Sequence, residues 1–203
     1  VLYIALDAAS FIHPLHGLNI TPWNPAPALG LVYLLRQGPG ARLILIAAVL
    51  LSESLVRGVP FPWWRSFLSA LILAAGYLLL SEAFRRRMSP TTLLDDRAAL
   101  LGWMVPVVFG TLLNSVVYLT SLYLLGLLPS DRWLMGVLQF WVGDAVGITV
   151  AMPLFWWLTG ERGRLALSSA FLCWETLGYS LLGLLALGIA FGLGDDGGFK
   201  LFY

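Results

Sequence analysis

The sequence predicts an all-α integral membrane protein, a polytopic bundle of about seven helical segments. Hydrophobic residues make up 59% of the chain and charged residues only 11%, whereas a soluble domain carries about 25% charged residues. The mean hydropathy is +0.84. No stretch alternates apolar and polar residues as a membrane strand does, so helices are the plausible way to satisfy the backbone inside a bilayer.

Seven apolar segments account for this prediction, and their lengths differ. The last four are long enough to cross a bilayer at about 1.5 Å per residue. The first and third are short, and the second is short enough to predict a half-helix or a tilted piece. Pro106 predicts tilt or a kink in the fifth. The segments are 1–15, 25–35, 41–56, 63–84, 98–128, 133–158 and 165–193.

Basic residues orient the segments. If every segment crosses the bilayer, eight arginines lie on one side, against three arginines and one lysine on the other. The positive-inside rule then places the Arg85–Arg87 run and the N-terminus in the cytoplasm. Because Val1 opens an apolar stretch without Met, residues 1–203 are expected to be a single transmembrane domain of a longer protein. An eighth crossing would start at residues 199–203.

Asp144 is the residue that most strongly suggests a function. It lies near the middle of the sixth segment, which contains no Lys, Arg or Glu. An ionised carboxylate at this depth costs about 2.5–3.5 kcal/mol, so protonation, a partner or water must offset that cost. Gly143 and Gly147 provide the small-xxx-small spacing that lets a neighbouring backbone approach. Two interpretations stay open: a signal-responsive group, or an acid that only joins two helices.

Two other places are candidates for ligand or signal response. Glu175 lies about ten residues into the seventh segment, a costly depth for an acid. The run from Thr21 to Pro25 disfavours helix, since each X-Pro step restricts the preceding residue. Non-helical backbone in a membrane is tolerated where it is buried in protein or lines a wet cavity. Trp23 and Asn24 could therefore form the wall of an outward-facing pocket, or the run could be an interfacial turn with a Trp anchor.

Catalytic, metal and nucleic-acid functions are not indicated. The chain has no GxxxxGK[ST], GxSxG or HExxH motif. Its net charge of +1 is too small to attract nucleic acid through the overall electrostatic field of the protein. His13 and His16 flank Pro14 without a third histidine. We therefore predict no catalytic residue, no metal site and no cofactor.

Two motifs in this chain, taken in their order, resemble a known family. The first is Trp23-Asn-Pro25, followed by Pro27 and Gly30. The second is Phe140-Trp-Val-Gly-Asp-Ala-Val-Gly147, followed by Met152-Pro-Leu154. Together they resemble the bacterial membrane-associated sensor domain of the first class (the MASE family).

The resemblance implies a sensory input domain of the bacterial inner membrane. Such domains precede histidine kinase, diguanylate cyclase or phosphodiesterase outputs, which work as dimers, so a homodimer is expected. The implied partners are the lipid bilayer, a cytoplasmic output domain in the parent chain and an unknown stimulus. A proton-coupled or small-molecule transporter is the alternative, because interrupted segments and mid-membrane acids are typical of transport sites. A structural subunit, with its acids as interhelical contacts, is the third hypothesis.

Overall fold

The computed structural model describes residues 1–10, 23–56, 62–87 and 97–161, together with positions 163, 165, 178, 181 and 182. Within these residues every regular element is helical. The helices are α1 (Leu2–Ser10), α2 (Ala26–Gln37), α3 (Arg42–Val56), α4 (Trp63–Arg87), α5 (Arg97–Leu124) and α6 (Trp133–Leu158). Single 3-10 turns, Pro39–Ala41 and Ser130–Arg132, precede α3 and α6. The chain divides into two units, Val1–Trp156 and Trp157–Tyr203, and the sites discussed below belong to the first.

Four of the described helices are long and apolar enough to cross a membrane. They are α4, α5, α3 with its preceding turn, and α6 with its preceding turn. Large apolar side chains such as Leu79, Phe109 and Val150 are exposed on them, as contact with lipid requires. The predicted all-α class and membrane character are therefore confirmed. The prediction of seven segments is not: α1 and α2 are short, and the seventh and eighth segments lie, apart from isolated residues, outside the described residues.

The second segment forms a short helix, as expected for the half-helix or tilted piece that its length predicts. Helix α2 has 12 residues, or about 18 Å, against about 30 Å for a bilayer core. At its start, the backbone N–H of Asn24 donates to the carbonyl of Gly143 over 3.1 Å. At its end, Arg36 donates to the carbonyl of Trp156 over 2.7 Å and stacks 4.5 Å above the Trp156 ring. Helix α2 therefore runs beside α6 from the middle of that helix towards its last turn.

Helix α4 is central to the bundle because it packs against α2, α3 and α5. One buried apolar cluster includes Tyr77 of α4, Tyr118 of α5 and Phe140 of α6, and the last two rings lie 5.0 Å apart. A second cluster joins α2 to α6 through residues such as Leu31 and Ile148. The residues of these two clusters define the buried face of each helix that contributes to them.

Charged residues gather at one end of the bundle, where α2 and α4 end and α3 begins. Glu82 forms ion pairs with Arg42 and Arg86 at 3.3 and 3.1 Å. Arg85 donates to the carbonyl of Leu34 in the last turn of α2 over 2.6 Å. Exposed ion pairs of this kind contribute about 0.2–1 kcal/mol each to the free energy of unfolding. They therefore add little to the stability of the fold, but they identify the polar end of the bundle. We call this region the arginine end.

Glycines let α4 and α5 approach closely. A methyl group on Gly76 would overlap the carboxamide of Asn114, and one on Gly110 would lie 2.6 Å from Cδ1 of Leu80. The Asn114 carboxamide is buried without a hydrogen-bond partner among the described residues. Its contact with Gly76 is therefore steric rather than polar.

We predict that Gly76→Ala lowers the free energy of unfolding by about 1–3 kcal/mol, the usual effect of overpacking a tight contact. Gly102→Ala is the matched control, because nothing lies within 4 Å of a methyl group there and alanine favours helix by about 1 kcal/mol. Thermal unfolding in detergent measures both variants. The double variant Gly76→Ala/Asn114→Ala should recover stability relative to Gly76→Ala; an equal or larger loss would show that the contact is not steric.

Candidate functional site

The buried face of α6 has Asp144 at its centre. Its buried residues recur every three or four positions, as one face of a helix requires: Gly136, Val137, Phe140, Gly143, Asp144, Gly147, Ile148, Ala151 and Met152. Asp144 is only 1% exposed. A carboxylate therefore occupies an inward position in the middle of a 26-residue helix whose other buried residues are all apolar or glycine.

Two buried side chains donate hydrogen bonds to the two oxygens of this carboxylate. The Tyr77 hydroxyl of α4 donates to Oδ2 over 2.7 Å. The Asn24 carboxamide donates through Nδ2 to Oδ1 over 3.0 Å. Hydrogen bonds to a charged acceptor are about twice as strong as neutral ones, so these contacts help to offset the cost of burial. One carboxylate thus joins α4, α6 and the segment before α2, and we call these three residues the Asp144 cluster.

The backbone of Asn24 lies directly on α6 because Gly147 has no side chain. A methyl group at position 147 would collide with the carbonyl group of Asn24, and the adjacent N–H bonds to Gly143. Gly147 thus allows the close approach of a neighbouring backbone, and Gly143 accepts a hydrogen bond from that backbone through its carbonyl group. The approaching chain is the non-helical start of α2 rather than another helix.

Prolines reduce the number of unpaired backbone N–H groups at the start of α2. The first N–H groups of a helix have no partner within the helix, and in the interior of a membrane bundle water does not replace that partner. Pro25 and Pro27 have no N–H group, so two of these donors are missing. The N–H of Leu29 already bonds to the carbonyl of Pro25. The positive end of the α2 dipole therefore lies beside the Asn24–Asp144 contact, where it favours a negative charge.

A second set of buried acids lies on α1 and α3. Asp7 accepts a hydrogen bond from the Ser52 hydroxyl over 2.6 Å. Glu53 is 9% exposed, and the Tyr118 hydroxyl makes a long contact of 3.4 Å with it. Among the described residues, no group of three His, Cys, Asp or Glu side chains could hold a metal ion.

The structure brings together four of the six residues singled out in the sequence: Asn24, Gly143, Asp144 and Gly147. Trp23 precedes Asn24 in the chain, but its residue surface is 48% exposed. Glu175 lies outside the described residues, as do His13 and His16. Sequence reasoning missed Tyr77, because a tyrosine in an apolar helix carries no signal that it faces an acid 67 positions later.

Comparison with known proteins yields no relative. No protein-family model matches the chain, and neither a curated protein nor a solved structure matches it. The resemblance to the membrane-associated sensor domains therefore rests on the two motifs themselves.

We predict that Gly147→Ala destabilises the protein by about 1–3 kcal/mol despite the better helix propensity of alanine. The atoms that would collide belong to a backbone that is hydrogen-bonded to Gly143, so they move less easily than a side chain. Gly102→Ala again serves as the control, with both variants compared by thermal unfolding. Equal stability of the two would mean that residues 23–25 do not lie against α6.

We predict that Tyr77→Phe lowers the free energy of unfolding by about 1–3 kcal/mol, because it removes a donor from a buried acceptor. Tyr33→Phe is the matched control, since Tyr33 is 37% exposed. Combining Tyr77→Phe with Asp144→Leu should cost less than the sum of the single changes, since both remove the same hydrogen bond. Strict additivity in this double-mutant cycle would contradict the contact.

Proposed function

We propose that this chain is the sensory input domain of a multi-pass protein of the bacterial inner membrane, with the Asp144 cluster as its responsive element. The stimulus would pass to a cytoplasmic histidine kinase or cyclic-di-GMP enzyme in the same protein. The observation that carries this proposal is that one buried carboxylate holds three separate chain elements together. Any event that alters its hydrogen bonds changes the contacts of all three.

The cluster has the chemistry of a two-state element. The Tyr77 hydroxyl and the Asn24 amide group both donate to the carboxylate of Asp144. If the carboxyl group takes up a proton, it needs an acceptor, and rotation of the Asn24 carboxamide supplies one. The Oδ1 atom of Asn24 is buried without a hydrogen-bond partner among the described residues, so the rotation breaks no described bond of that atom. Protonation of Asp144, or a ligand that engages Asn24, would then favour the second arrangement.

Helix α2 provides the path from this cluster to the arginine end. It starts two residues after Asn24 and ends beside Arg36 and Arg85, which tie it to α6 and α4. A shift of residues 23–25 would therefore move helix α2, whose C-terminal end contacts α4 and α6. The predicted topology places that end in the cytoplasm, on the side of the proposed output.

The two motifs that resemble the sensor family also support the proposal. They lie 120 positions apart in the chain, yet Asn24 of the first contacts Asp144 of the second. A shared site explains why the two motifs would occur together. The proposal takes its function class, sensory input, from this resemblance.

We predict that Asp144→Asn in the full-length protein changes the basal output activity by about fivefold or more, the lower range of allosteric coupling. The asparagine side chain keeps the shape of Asp144 but cannot carry its charge. Asp131→Asn, at an exposed site, is the control. Kinase or cyclase activity in isolated membranes, normalised to the amount of inserted protein, measures the effect. Unchanged output, or a gene without any output domain, would refute the proposal.

A transporter is the second candidate, and the half-helix favours it specifically. Interrupted helices whose N-termini lie at mid-membrane beside ionisable groups are typical of transporter sites. Proteoliposomes that contain a pH-sensitive dye distinguish the two functions when a membrane potential is imposed. Proton flux that depends on the protein and is abolished by Asp144→Asn would favour transport.

A further inference from the structure

A groove of about 580 Å³ runs between α4 and α5. Its volume falls within the range of about 300–1,000 Å³ that is typical of small-molecule sites. Exposed apolar side chains such as Leu79, Phe109 and Leu113 line it, and both helices are long and apolar enough to cross a membrane. A molecule dissolved in the bilayer would therefore have direct access to the groove.

One polar side chain in this groove lacks a hydrogen-bond partner. Asn114 lines the groove and is 6% exposed, and its Oδ1 and Nδ2 atoms are both buried without a partner among the described residues. Buried polar groups in proteins are nearly always hydrogen-bonded, so a partner is missing at this position. By contrast, Glu53, which lines a smaller cavity of about 220 Å³ between α3 and α4, has its contact with Tyr118.

The carboxamide of Asn114 indicates the head group of a ligand. A carboxamide has one acceptor oxygen and an NH₂ group that donates, so it pairs best with a group that has a donor and an acceptor side by side. A carboxylic acid and a primary amide are such groups. The described lining of the groove contains no charged side chain, and burying an uncompensated charge is costly. The matching head is therefore uncharged, either a primary amide or a protonated acid.

The carboxamide has to turn in order to meet this head. In the structure it lies against Gly76, where an added methyl group would overlap it. Its polar atoms are covered in this position. Rotation about the side-chain bonds of Asn114 breaks no described hydrogen bond of the carboxamide, because it has none.

The shape of the groove limits the tail of the ligand. On α4 the lining continues from Gly76, opposite Asn114, to Ala83, and on α5 it continues from Asn114 back to Pro106. This part of the lining lies on the side of the arginine end and is apolar or glycine. The step from residue 76 to residue 83 of a helix covers about 10 Å. The groove therefore fits an alkyl chain of medium length.

A further helix fits this groove less well than a small molecule does. Helices approach one another closely through small residues, but the glycines of this groove are already covered. Asn114 lies against Gly76, and Leu80 lies against Gly110. A second copy of the chain would therefore find no open glycine surface at these two positions.

We propose that the α4–α5 groove binds a medium-chain acyl compound with an uncharged amide or acid head. Asn114 would donate to the carbonyl oxygen of the head and accept a hydrogen bond from its N–H or O–H group. The chain would lie along the apolar lining towards Ala83 and Pro106. None of the described lining residues belongs to the Asp144 cluster, and the assignment does not rest on the proposed sensory function.

The test is photolabelling of the purified chain in lipid nanodiscs. The probe is a decanamide analogue that carries a diazirine and a terminal alkyne, and mass spectrometry locates the label. We expect saturable labelling within residues 72–83 and 106–117. Unlabelled decanamide should compete at least about threefold better than methyl decanoate, which accepts a hydrogen bond but cannot donate one. Equal competition by the two compounds, or labelling that does not saturate, overturns the proposal.

Decanoic acid distinguishes the two kinds of head. Its ionised form lacks the donor and carries a charge, so its competition should strengthen as the pH is lowered. Such a pH dependence assigns the site to protonated fatty acids as well as amides. Competition by decanamide without competition by the acid restricts the assignment to amides. Stronger competition by the acid at higher pH overturns the proposal, because the ionised form would then be the ligand.

Variants identify the polar partner and locate the site. Asn114→Leu should lose the preference for decanamide over methyl decanoate, and a preserved preference overturns the proposal. Ala75→Phe introduces a ring at an exposed position in the groove and should reduce labelling several-fold. Val105→Phe, at an exposed position of α5 outside the described lining, is the matched control and should be labelled as the wild type is.

Thermal unfolding without probe establishes that each variant folds. If Asn114→Leu does not fold, Ala75→Phe decides, and labelling of that variant at the wild-type level contradicts the proposal. The mass of the protein in detergent, measured by light scattering, tests the other occupant. A dimer that Ala75→Phe disrupts, together with no saturable labelling of the wild type, would assign the groove to a second copy and overturn the proposal.

Discussion

A carboxylate in the apolar interior of a membrane bundle needs donors, and most of the described architecture follows from how Asp144 obtains them. Tyr77 approaches from α4, and Asn24 approaches from the segment before α2. Both contacts constrain the rotation of the helices about their axes. Asp144 must lie on the inward face of α6, and Tyr77 must lie on the face of α4 that is turned towards Asp144. The contacts also constrain where α2 begins, because Asn24 reaches the carboxylate only if α2 starts beside the middle of α6. The start of α2 beside the middle of α6 follows from this requirement, whereas its end is set separately at Gly38, which has a positive φ of 77°.

The sequence predicts those parts of the structure that depend on local physics. Apolar length predicts the membrane helices, the brevity of the second segment predicts a helix too short to span by itself, and the spacing of Gly143 and Gly147 predicts a close backbone contact. The partners of Asp144 could not be predicted in this way. Which side chains meet across 67 or 120 positions depends on the rotation of whole helices, and that rotation is decided by the summed packing of the core. The cavity beside Glu53 could not be predicted for the same reason, since its lining comes from both α3 and α4.

The buried acids of this chain lie in two different environments. Asp144 is surrounded by the core and accepts the hydrogen bonds of Tyr77 and Asn24, whereas Glu53 lines an open cavity and has a long contact with Tyr118. Tyr118 lies between the two places: its hydroxyl contacts Glu53, and its ring packs against Phe140, one helical turn before Asp144. A change at the cavity and a change at the Asp144 cluster therefore act on the same packed aromatic pair, which provides a physical connection between them.

The half-helix has a consequence for how the protein is made. Helix α2 is too short to span the bilayer alone, and Asn24, two residues before it, lies against α6. The ribosome must synthesise about 120 further residues after Asn24 before Asp144 exists. Until then the segment before α2 lacks its partners on α6, although α1 and α4, against which α2 also packs, are already made. Completion of this region is therefore a late event in biogenesis, coupled to the arrival of the sixth helix.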